Sequence, residues 1–217
     1  MKKFTIIASL VCAFATFGNA QDLAFHKGSF QINVTEGTTY GNYGTQNYGT
    51  GEGVGFKYIV GCRDPFQLEY GVSNKIGIGI SSGADYYYLN PTQFYGFNVS
   101  NNQIKAYTSE FTIDGSYHFF VTRKLDIAAV LSYGSSGVTF KGTDAGDNNY
   151  SYTSKGGMLR LGIHGRFYFG HFGIVAMGSA FTESSNPVVA KGEAGNHYST
   201  SISGFAKEFG ICYRFKK

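Results

Sequence analysis

The chain has 217 residues, 42% of them hydrophobic, with a formal charge of +4, 31 glycines, 20 Phe, 17 Tyr, three prolines, three cysteines and no tryptophan. A charge so near balance argues against nucleic acid as a partner, and so few cysteines exclude a disulfide scaffold. No apolar stretch reaches the ~20 residues of a transmembrane helix, so a helical membrane protein is excluded and a β-rich chain of single-domain size, with many tight turns, remains.

The N-terminus reads as a secretory leader. Lys2 and Lys3 precede an uncharged apolar run from Phe4 to Phe17, and Gly18-Asn19-Ala20 offers small residues for cleavage. Residues 1–20 are therefore expected to be a cleaved signal peptide and 21–217 the folded domain. Cys12 follows Leu10-Val11 rather than the small residue a lipoprotein site requires, which argues against lipidation.

Beyond the leader, period-two alternation recurs. Phe30, Ile32 and Val34 share one face; so do Phe66, Leu68, Tyr70 and Val72, opposite Gln67 and Glu69. Ile76, Ile78 and Ile80 alternate with glycine and serine, and Phe111, Ile113, Tyr117 and Phe119 with Thr112, Asp114, Ser116 and His118. Leu125, Ile127, Ala129, Leu131 and Tyr133 form a further face, and Leu159, Leu161, Ile163, Phe167 and Phe169 point away from Arg160, His164 and Arg166. Residues 172–181 are apolar on both faces, so their orientation is not legible; Phe209, Ile211, Tyr213 and Phe215 close the series. These patterns predict eight strands, at 28–36, 65–73, 76–89, 104–120, 125–141, 156–169, 172–181 and 198–215.

The connections between them alternate strictly in length. Those at 73–75, 121–124 and 170–171 are short, and those at 37–64, 90–103, 142–155 and 182–197 are long. An all-β, eight-stranded antiparallel up-and-down transmembrane barrel has this pattern, with short periplasmic turns, longer outside loops and both termini in the periplasm. A soluble eight-stranded barrel is the rival fold. It would cover its outside with charge, whereas here the charges fall on the face rich in glycine and serine, as suits a crowded interior, and Tyr and Phe gather at strand ends as interfacial girdles do.

The run from Pro65 to Gly79, with Glu69-Tyr70-Gly71, a short turn and Lys75-Ile76-Gly77-Ile78-Gly79, resembles a hairpin of small outer-membrane β-barrel proteins common in Bacteroidota. The architecture is similar to that of OmpA-type transmembrane domains. The last strand, Glu208 to Phe215, resembles the C-terminal β-signal read by the outer-membrane assembly machinery. Glu208, Gly210, Tyr213 and Phe215 occupy its polar, glycine and two aromatic positions, and Lys216 and Lys217 follow. These resemblances imply the outer membrane of a Gram-negative bacterium as location, with outer-membrane lipids, lipopolysaccharide and the assembly machinery as partners. They carry over no catalytic residue and no cofactor.

On the inward face, Glu69, Glu110, Asp114, Arg160, His164, Arg166, Glu208 and Arg214 supply charge or polarity, with Glu69, Asp114, His164, Arg166 and Glu208 at broadly similar depths. An eight-stranded barrel is just wide enough for side chains to fill, so a structural network plugging the lumen is the first reading. A small pore for ions or solutes is the second. The first outside loop repeats Asn-Tyr-Gly-Thr at 42–45 and 47–50, and Tyr40, Tyr43 and Tyr48 could meet an extracellular glycan or protein, the adhesin reading.

Enzymatic chemistry finds little support. A lipid A deacylase would need a His-x-Ser pair, but His164-Gly165-Arg166 lacks the serine nucleophile. No histidine has a metal-ligand partner at short spacing, and the glycine run at 49–53 does not open a helix as a phosphate loop does. No catalytic, metal or cofactor-binding residue is therefore expected. Cys62 and Cys212 are expected at different heights and hence unpaired. Lys207 shares a face with Phe205 and Phe209, so it requires either a bulge or a side chain that snorkels.

Overall fold

The computed structural model describes residues 23–47, 53–89, 104–143, 149–185, 188–189 and 197–215. The signal-peptide expectation for 1–20 and the role suggested for Tyr48 lie outside these residues. Among the described residues ten strands follow one another: β1 (Phe30–Asn47), β2 (Gly53–Arg63), β3 (Phe66–Gly71), β4 (Ile76–Leu89), β5 (Ile104–Val121), β6 (Leu125–Thr143), β7 (Asn149–Phe169), β8 (Phe172–Ser185), β9 (Val188–Val189) and β10 (His197–Phe215). Every pairing is antiparallel, and β1 pairs with β10 to close the ring.

The ring has eight positions because β2 and β3 share one of them, and the two-residue β9 pairs with β10 beyond the end of β8 and so shares the position of β8. Both β2 and β3 lie between β1 and β4, and the register is the same on either side of the break: Gly37 faces Arg63 and Val34 faces Phe66. Pro65 causes the interruption, since it has no N–H to give the ladder. Its carbonyl still accepts from Thr35 N–H at 3.1 Å, and Asp64 N–H donates to Ala84 O at 3.2 Å. The expected long loop at 37–64 is thus mostly wall, β1 running on to Asn47 and β2 beginning at Gly53.

The alternation sorts the faces as the period-two pattern predicts. Ile76, Ile78, Ile80, Ile113, Leu131, Leu161, Ile163 and Phe209 are exposed outside, while Gln67, Glu69, Asp114, His164 and Arg166 are buried inside. An apolar exterior around a polar interior inverts the soluble barrel. Along β10 the outward apolar residues run from Phe205 to Phe215, close to the about 9–11 residues a strand needs to cross a bilayer. Near the short turns, Phe30, Phe215, Tyr213 and Phe172 form a chain of ring contacts at centroid distances of 5.3, 4.8 and 4.9 Å.

The orientation of β8, illegible in the sequence, is settled by burial: Val175, Phe181 and Glu183 point in, and Ile174 and Ala180 point out. Phe119 and Phe120 both face outward at a register shift between β5 and β6. Gly210 makes the closing seam close-fitting. A Cβ there would collide with the carbonyl of Val34 and the backbone of Thr35 on β1.

Candidate functional site in the barrel lumen

From the end that carries the short turns, the interior is stacked in layers. The first is the chain's own N-terminal segment. Ala24 N–H donates to Thr122 O at 2.7 Å, Gln31 Nε2 to Ala24 O at 2.9 Å and Arg214 Nη1 to Leu23 O at 2.8 Å. Ala24 and Phe25 are fully buried, with Phe25 stacked on His118 and Ala24 packed with Tyr168, Val175 and Cys212. Arg214 therefore serves this layer, its guanidinium 4.8 Å from the Tyr168 ring, and does not join the charged network expected for it.

Above it lies the first charged layer. Arg166 bonds Glu69 Oε2 at 2.6 Å and Asp126 Oδ2 at 2.9 Å, and His118 bridges the same carboxylates at 3.0 and 2.7 Å. Ser116 also donates to Glu69. Gly77 leaves room for this carboxylate, since a Cβ there would meet both Glu69 Oε1 and Ser116 Oγ. Asp114 is placed one step further along, bonded by uncharged donors and in no ion pair among the described residues: Asn33 Nδ2 donates to Gln67 Oε1 at 2.7 Å, and Gln67 Nε2 donates to Asp114 Oδ2 at 2.9 Å.

A cavity of about 20 Å³ follows, lined by Asn33, Gln67, Ser132, Arg160, His164 and Met177 among others. It has room for one water. Asn33 Oδ1, Arg160 Nε and His164 Nδ1 have no protein partner among the described residues. His164 thus borders this space and stands outside both ion-pair layers.

The second charged layer centres on Arg63. Its guanidinium bonds Asp85 Oδ2 at 2.7 Å, Glu208 Oε1 at 2.8 Å and Glu110, while Arg160 reaches Glu110 Oε2 at 2.8 Å. Thr39 and Thr35 donate to Asp85 and Glu208 at 2.6 and 3.0 Å. An apolar layer of Tyr43, Ile59, Tyr87, Val138, Phe181 and Ile202 covers it towards the end with the longer connections.

The eight residues expected inside do not form one constellation. Glu69 with Arg166, and Glu110 with Arg160 and Glu208, fall in separate layers. Three of the residues that knit the layers, Arg63, Asp85 and Asp126, were not among those eight. Asp85 and Asp126 share the inward parity of Ser81 and Ala128 and were findable by that rule; Arg63 falls in the segment read as loop.

The tyrosines of the first loop are also differently placed. Tyr43 is 1% exposed inside the barrel, which removes it as a surface contact, and Tyr40 lies on the outer wall of β1. Cys62 is exposed and Cys212 buried. They flank β1 opposite Thr38 and Asn33, a difference in height of roughly 16 Å at ~3.3 Å per residue, beyond disulfide reach.

No protein-family model and no curated protein matches the chain. Among solved structures, the outer membrane protein OprG of Pseudomonas aeruginosa is similar over 89% of this chain and 98% of its own, at 13% identity and a TM-score of 0.54. The outer membrane protein AlkL is similar over 94% and 98%, at 14% identity and a TM-score of 0.52. The outer membrane protease OmpT of Escherichia coli matches at 10% identity with a TM-score of 0.48, a likeness of outline that carries no argument about activity. The fold is that of the eight-stranded outer-membrane β-barrels.

Proposed function

We propose that the chain is an integral outer-membrane barrel whose lumen is closed, so that it acts through its structure and its surface rather than by conduction or catalysis. The observation that carries this reading is the stack of buried ion pairs, in which Arg63 and Arg166 are each held by two or more carboxylates. Opening a path would strand buried charges, at several kcal/mol each. The N-terminal segment adds a further seal at one mouth.

The leader-like N-terminus and the β-signal-like octet support export and assembly into the outer membrane, among lipid and lipopolysaccharide. Short turns on the periplasmic side would place both termini there. The adhesin reading loses Tyr43 and retains only whatever the long connections contribute. The pore reading is tested by planar-bilayer recording of the purified chain. The closed barrel gives no reproducible unitary steps; steps that change on Arg166→Ala or Glu208→Ala would establish a pore instead.

A further inference from the structure

We propose that Glu183 and Asp85, with the hydroxyl of Tyr87, bind a single hard divalent cation of the calcium class in the lumen, beneath the apolar layer. One oxygen from each of Asp85, Glu110 and Glu183 lies within 4.8 Å of the others, the span of two opposed oxygens about a cation at ~2.4 Å each. All three residues are buried, and the group contains no nitrogen or sulfur ligand, which selects a hard ion.

Charge balance points the same way. In this layer Asp85, Glu110, Glu183 and Glu208 face only Arg63 and Arg160 among the described residues, so with all four carboxyls ionised two negative charges have no counter-charge. One divalent cation restores neutrality. Glu110 is not the primary ligand, because both of its oxygens already accept from both arginines. Its part is charge.

Two unpartnered atoms mark the position. Glu183 takes Ser136 Oγ on Oε2 at 3.0 Å, yet its Oε1 has no partner, and neither does the Tyr87 hydroxyl. Both residues are 1% exposed. Tyr87 stands two residues beyond Asp85 on the same inward face of β4, which puts both in this part of the lumen. A neutral hydroxyl beside two carboxylates, with water to complete the shell, is a workable calcium ligand set.

The test uses the purified full barrel, folded in nonionic detergent free of lipopolysaccharide, with terbium(III) as the luminescent stand-in for calcium. Because the chain has no tryptophan and 17 tyrosines, tyrosine excitation reports bound terbium, and the Glu183→Gln comparison assigns the site. We expect one saturable equivalent, displaced by calcium, with affinity at least tenfold lower in Glu183→Gln and unchanged in the exposed control Glu36→Gln. Migration of unheated samples verifies that each variant is folded. Absence of a saturable site in the wild type, or equal affinity in Glu183→Gln, would overturn the proposal and leave protons as the carriers of the missing charge.

Discussion

At Arg63 three carboxylates from three different strands converge on one guanidinium, and the side chain is fully buried. Arg63→Ala would leave Asp85, Glu110 and Glu208 with fewer donors in a lumen that cannot hydrate them. We expect a loss of about 3–5 kcal/mol in denaturant unfolding from detergent or vesicles. Lys207 presents the opposite situation. β10 runs in unbroken register against both neighbours there, so no bulge turns the lysine inward; it is exposed, with Nζ 6.0 Å from the Tyr40 ring. Tyr40 pairs with Phe205, further toward the long connections, so the amine leans toward the edge of the apolar band. Lys207→Leu should stabilise the barrel by about 1 kcal/mol, short of the ~2–4 kcal/mol of a cation held at the bilayer midplane. The same unfolding measurement decides between them.

The strands show what a period-two reading can and cannot reach. Where one face is apolar and the other polar, as in β3, β4, β5 and β7, strand and orientation were both legible. β2 was not, because Tyr58, Ile59 and Val60 are apolar on both faces, and Pro65 breaks the run that would have joined them to Phe66. Arg63 was lost from the site for that reason, and the extension of β1 from Gly37 to Asn47 was hidden because Gly37, Gly41, Asn42 and Gly44, poor strand signals, interrupt its strand-favouring threonines and tyrosines. The depth grouping was also approximate, since barrel shear offsets residues that sequence counting places at one level. At the closing seam, Gly210 is needed for β10 to approach β1. Gly210→Val should prevent closure, seen as loss of the compact, fast-migrating form in refolding assays, whereas Phe209→Leu on the outer face should leave it intact.

As a whole the molecule is a barrel longer than a membrane is thick. β7 has 21 residues and β1, β5, β6 and β10 have 18 or 19, about twice what a crossing requires, so the wall continues past the apolar band towards the long connections. The lumen is filled in order by the N-terminal segment, two charged layers separated by a small cavity, and an apolar cap. This arrangement requires that the outer wall meet lipid, and gel migration of extracts from the outer-membrane fraction tests that claim most directly. The account predicts that the chain is found in that fraction and runs faster unheated than boiled. Recovery in the soluble fraction, with the same mobility before and after boiling, would contradict it.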